Sequence, residues 1–184
     1  MKLFQQVHTK TARIQEEGEY FADSIYGATD GIITTFAVVS GAVGAHLPAS
    51  VIIILGVANL VADGISMGMS NFLALRSKQS FEQREGLATL KDPDDKPWMH
   101  GLMTFLAFLI AGALPLIPYI FGVSTDSQFI VSVIATAVAL FSVGASRSFI
   151  TNQSWLRAGC EMLLVGGMAS GAAFGIGAFV QSIV

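Results

Sequence analysis

The sequence predicts an all-α integral membrane protein with five transmembrane helices, on three observations. Its 184 residues are 53% hydrophobic and only 12% charged, whereas a soluble domain carries about 25% charged residues. Five runs are apolar over the roughly 20 residues that a helix needs to cross a bilayer. All ten Lys and Arg residues fall on one side of a five-span arrangement, whereas four or six spans would scatter them over both. This length leaves room for a single membrane domain, residues 1–184. The net charge of −3 gives no basic footprint for nucleic acid. A lone cysteine, Cys160, supports neither an internal disulfide nor a Cys-based zinc cluster.

The spans are expected at residues 24–45, 48–75, 98–121, 129–145 and 160–180. Before the first of them Leu3, Phe4, Val7, Ile14 and Phe21 recur at near-helical spacing among charged residues, which predicts an amphipathic helix on the membrane surface over residues 1–23. That stretch is polar and charged, so no cleavable signal peptide is expected. The second span exceeds the hydrocarbon thickness and must tilt or protrude. The link over 78–97 is the only sizeable one; its first half, through Leu90, continues the second helix until Asp92-Pro93-Asp94-Asp95 breaks it. Pro115 and Pro118 are expected to kink the outer end of the third span. Because basic residues are retained on the cytoplasmic side, the amino terminus is predicted inside and the carboxy terminus outside.

Two aspartates, Asp30 and Asp63, lie within the first two spans with no Lys or Arg nearby. A carboxylate at the centre of a membrane helix costs about 2.5–3.5 kcal/mol on insertion scales, and such residues usually bind ions or carry protons. Asp30 precedes His46 by 16 residues and Asp63 follows Leu47 by 16. At about 1.5 Å per residue both sit roughly 24 Å below the turn joining the two helices, in the inner half of the membrane. Asn59 and Met67 stand one turn either side of Asp63, with Ser66 and Ser70 close to the same face. Amide, carboxylate, thioether and hydroxyl groups in one stripe suit stepwise passage of a transition-metal ion. The competing explanation is that the polar groups only join helices and Met67 only packs.

Glu82 and Glu85 lie on the extension of the second helix, where Asp92, Asp94, Asp95 or His100 might join them to gather metal at the entrance; ordinary solvated charge explains them as well. Glycines spaced by four, Gly27 and Gly31, Gly64 and Gly68, and Gly167, Gly171 and Gly175, are expected at close helix contacts. Glu161 follows Arg157 by four residues and is expected to pair with it. His8, His46 and Cys160 show no ligand spacing, and no phosphate loop, nucleophile elbow or His-Glu-x-x-His pattern is present, so an enzyme is not expected.

Residues 26–36 (YGATDGIITTF) and 41–45 (GAVGA), with 60–68 (LVADGISMG) leading to Asn71-Phe72-Leu73, resemble the vacuolar iron transporter family. The resemblance is sharpest over residues 24–80 and weak after 98, while the five-span layout matches throughout. It implies proton-coupled export of ferrous iron, and often manganese, by a five-span homodimer whose path runs along the dimer interface. On that pattern Asp30 and Met67 match metal ligands, and Asp23 matches an acidic position near the entrance. Two departures are visible. The long Glu-rich insert of the plant and fungal members is reduced here to about 20 residues containing Glu82 and Glu85. A glutamate expected in the second span is replaced by Asn59, with Asp63 one turn along. The short link is that of microbial members, which implies a bacterial cell membrane, a vacuolar-type endomembrane being the alternative. The expected function is proton-coupled export of Fe²⁺ or Mn²⁺; a passive cation channel and a non-transporting scaffold subunit are the rivals. No resident cofactor is implied.

Overall fold

The computed structural model describes the backbone of residues 2–86, 96–124, 126–149, 151 and 153–184, with side chains from Gly18 onward. Helices α1 (Lys2–Gly44), α2 (Ala49–Arg84), α3 (Pro97–Gly112), α4 (Ile117–Ile120), α5 (Gln128–Ser146) and α6 (Trp155–Ile183) carry most of it, and no strand occurs among the described residues. Five stretches are long and apolar enough to cross a membrane: Gly18–Gly44, Ala49–Arg84, Pro97–Ile120, Gln128–Phe149 and Trp155–Ile183. All five expected spans are therefore present, and their ends carry the differences.

α1 runs unbroken from Lys2, so the boundary drawn at Ser24 is not a break in the helix. The side chains of the expected amphipathic stretch up to residue 17, and the Asp92-Pro93-Asp94-Asp95 breaker, lie outside the described residues. α2 stops at Arg84 rather than near Leu90. Glu85 returns its N–H to the Phe81 carbonyl (3.0 Å), and Gly86 takes a left-handed φ of 73°, the conformation that ends many helices. α6 begins five residues before the expected Cys160, because Ser154 is extended and its side chain accepts from the Arg157 N–H at 3.4 Å, an N-cap that apolarity alone does not reveal. Its first turn carries the expected pair, Arg157 Nε donating to Glu161 Oε1 at 3.2 Å.

The α1–α2 connection is short because α1 ends in a double cap. Leu47 N–H reaches the Ala42 carbonyl and His46 N–H the Val43 carbonyl, both at 2.9 Å. His46 supplies the left-handed residue (φ 55°) that this Schellman geometry requires, so its role is local. In the third span Pro115 and Pro118 end α3 at Gly112 and divert the chain through a 3₁₀ turn, Leu114–Leu116, into α4, since proline removes a helical donor and clashes with the preceding turn.

α1 lies at the centre of the bundle, packed by α3, α6, α2 and α5. Half of its apolar window is buried, against 11% for that of α6. Small residues make this approach possible: a methyl at Gly27 would overlap the Thr104 carbonyl oxygen, and one at Gly31 the carbonyl of Phe108. Gly64 and Gly68 likewise seat α2 on Phe105 and Gly101 of α3. The expected stripe Gly167–Gly171–Gly175 behaves differently, with nothing within 4 Å of any of the three. α6 instead turns Gly159, Gly166 and Ser170 inward, a seam one residue out of step with the sequence pattern.

Candidate functional site

α2 buries a single row, Ile52, Gly56, Leu60, Gly64 and Gly68, at strict spacing of four. The adjoining row, Asn59, Asp63 and Met67, is therefore half-buried at the edge of the helix contact rather than inside it. Asn59 Nδ2 faces Asp63 Oδ2 at 3.5 Å, the outer limit of a hydrogen bond. Across the hairpin, Asp30 is also half-buried, and its backbone carbonyl accepts from Thr34 Oγ1 at 2.8 Å. The two carboxylates act electrostatically on one another, so the hairpin brings Asp30 and Asp63 together as their equal distance from the turn predicts. Among the described residues, no three His, Cys, Asp or Glu side chains gather in one place. What the protomer offers is a pair of carboxylates beside an amide and a thioether.

A second polar group lies two turns farther from the hairpin, and it ties three helices together. Asp23 Oδ1 accepts from Asn71 Nδ2 at 2.9 Å, and its other oxygen is bonded to His100 Nδ1. The same Asn71 amide donates to Thr104 Oγ1 at 2.8 Å, and Thr104 donates to the His100 carbonyl at 3.0 Å. The His100 side chain is 1% exposed and that of Asp23 18%, while Tyr20 stacks on the imidazole with ring centroids 4.2 Å apart. His100 is thus turned into the bundle, not out toward Glu82 and Glu85 where the sequence reading grouped it. Asp23 keeps its place near the entrance, but with both oxygens engaged. Asn71, His100 and Thr104 were not singled out as site residues from sequence. The depth count contained the signal: Asp23 precedes His46 by 23 residues and Asn71 follows Leu47 by 24.

Glu82 is half-buried and Glu85 exposed at the end of α2. Exposed carboxylates bind weakly and are screened. Replacing both with Gln is therefore expected to lower metal flux by about twofold or less. Complete loss of flux in a correctly inserted double variant would show that this end of α2 is an obligatory gate.

Five apolar helices, with carboxylate, amide and thioether groups gathered on the first two, define a multi-pass helical membrane protein with a polar path at one helix hairpin. The VIT family model matches residues 21–89 and 80–178, and the chain belongs to that family. The match reaches well beyond residue 80, where the resemblance legible in the motifs fades. Three curated relatives show the same extent. A vacuolar iron transporter of Toxoplasma gondii is 25% identical over 240 residues, covering 96% of this chain and 78% of that protein. Vacuolar iron transporter 2 of Oryza sativa subsp. japonica is 26% identical, covering 90% and 89%. Vacuolar iron transporter 1 of Eucalyptus grandis is 27% identical, covering 90% and 88%.

Proposed function

We propose that this protein exports ferrous iron or manganese from the cytoplasm in exchange for protons, as a homodimer whose path follows the α1–α2 face. The observation that carries this reading is the meeting of Asp30 and Asp63 within the membrane, in a row with Asn59 and Met67, in a chain whose relatives are named iron transporters. A carboxyl group in low-dielectric surroundings holds either a proton or a cation, so loading of metal releases protons and protonation releases metal. The thioether favours Fe²⁺ over Mg²⁺ and Ca²⁺, which take oxygen ligands. Asp30 and Met67 would bind the ion directly, aided by Asp63 and Asn59 and by the same residues of a second copy. Asp23, held by His100 and Asn71, would stand at the entrance, with Glu82 and Glu85 as an outer collecting pair. Direction follows from the basic links facing the cytoplasm, which holds equally in a cell membrane and in a vacuolar-type endomembrane.

The decisive experiment is metal flux in proteoliposomes with an imposed pH gradient. Antiport requires flux that rises with the gradient and moves protons the other way. Flux indifferent to the gradient would identify a channel, and no flux from a correctly folded protein a scaffold. Orientation has its own test. A tag before Met1 is expected to be accessible from the cytoplasm and a tag after Val184 from the opposite side. Both tags on one side would overturn the assignment of five crossings.

A further inference from the structure

Beside α1, away from its contact with α3, lies a cavity of 440 Å³ closed by the α5–α6 connection and the start of α6. Ile25 and Met162 line it with carbon, and Tyr26, Thr29, Thr151 and Arg147 line it with polar groups. Arg147 has no ion pair, and the acidic residue nearest to it along the chain, Glu161, is taken by Arg157. The Thr29 hydroxyl is buried and has no hydrogen-bond partner. Thr151 is fixed by its own bonds, its N–H and hydroxyl both reaching the Arg147 carbonyl at 2.9 Å, which holds the connection against the cavity. Tyr26 is 61% exposed, an aromatic ring of the kind that sits at headgroup level.

An uncompensated guanidinium, an unpaired buried hydroxyl and a carbon-lined wall, set between spans at the basic end of the bundle, call for one class of ligand. We infer that the cavity binds the phosphate headgroup of an anionic phospholipid from the leaflet on that side. Arg147 would pair with the phosphate, which guanidinium recognises in two-pronged fashion, and the Thr29 hydroxyl would donate to it or to the glycerol oxygens. Ile25 and Met162 would cover the first carbons of the chains. A soluble phosphate would satisfy Arg147 but leave the carbon wall wet, which favours the lipid. Thr29 is the residue before Asp30, so a headgroup here rests against the turn of α1 that carries that carboxylate. Binding does not depend on the chain being a metal transporter, so the test reads lipid rather than flux.

The test is native mass spectrometry of the purified protein with phosphatidylglycerol or phosphatidylcholine, repeated as thermal melting in nanodiscs of each lipid. Phosphatidylglycerol is expected to be retained at least about fivefold better, the contribution of one basic side chain at an anionic surface. Arg147→Gln should bring the two lipids to parity, Arg147→Lys should keep part of the preference, and Thr29→Val should reduce it. Arg157→Gln, which touches only the exposed pair with Glu161, should leave it unchanged. Equal retention of both lipids by the parent would overturn the inference, since the cavity would then be filled by solvent or by a second copy. So would an undiminished preference in correctly folded Arg147→Gln, or full displacement of the lipid by inorganic phosphate at equal concentration.

Discussion

Asp30→Asn is expected to abolish proton-coupled iron flux, lowering it at least about 100-fold, while the protein still inserts and assembles. Loss of a residue that merely supports a metal ligand typically costs 10–100-fold, so loss of a charged group proposed to hold the ion should reach or exceed the upper figure. The substitution keeps size and hydrogen bonding and removes two things at once: the negative charge that offsets a divalent ion, and the group that exchanges that ion for a proton. Asp30 is half-buried and its structural bond uses the backbone carbonyl, not the carboxylate, so folding should tolerate the amide. Met67→Leu keeps apolar volume and removes sulfur; iron affinity should fall about tenfold, with weaker rejection of Mg²⁺ and Ca²⁺. Asp63→Asn should lie between the two, because the Asn59 amide beside it and a second subunit compensate in part. The measurement is iron uptake into proteoliposomes under an imposed pH gradient, with melting and size-exclusion profiles to confirm assembly. If Asp30→Asn transports like the parent, the carboxylate serves helix packing and the proposed path fails.

The features legible in the sequence are those set by one helix at a time. Apolar length marked five spans, and counting outward from His46–Leu47 placed Asp30 and Asp63 together, because a tight hairpin forces equal depth on equal residue counts. What the sequence concealed depends on contacts between helices distant along the chain. His100 stands among Pro97, Trp98 and Met99 at the start of a span and reads as an interfacial residue. Only the approach of α1 and α2 turns it inward onto Asp23. The Gly167–Gly171–Gly175 pattern is indistinguishable in sequence from Gly27–Gly31, yet one faces outward and the other meets a backbone. Spacing gives the existence of a small-residue face, not the partner it meets. Helix ends were misplaced where a cap decides them, at Ser154 and Gly86, since apolarity does not register a single hydrogen bond or a left-handed residue.

The close approach at Gly31 leads to the second large expected effect. Gly31→Ala should destabilise the bundle by about 1–3 kcal/mol, the usual cost of forcing a methyl into a full site, and should remove most flux even in the fraction that folds. The added Cβ would collide with the Phe108 carbonyl oxygen, a backbone atom that cannot rotate away. Opposite it, a Cβ on Gly112 would lie only 2.8 Å from the Gly31 carbonyl oxygen, so both backbones are already at their limit. Relief requires α1 to slide or tilt from α3, and Asp30, the preceding residue, moves with it relative to Asp63 and Met67 on α2. Gly18→Ala is the matched comparison, in the same helix but with nothing within 4 Å. There alanine should be neutral or stabilising by up to about 1 kcal/mol through its higher helix propensity. Thermal melting in detergent, with flux in proteoliposomes, separates the two variants. Should Gly31→Ala melt and transport like Gly18→Ala, the α1–α3 contact has room for a methyl and does not fix the position of Asp30.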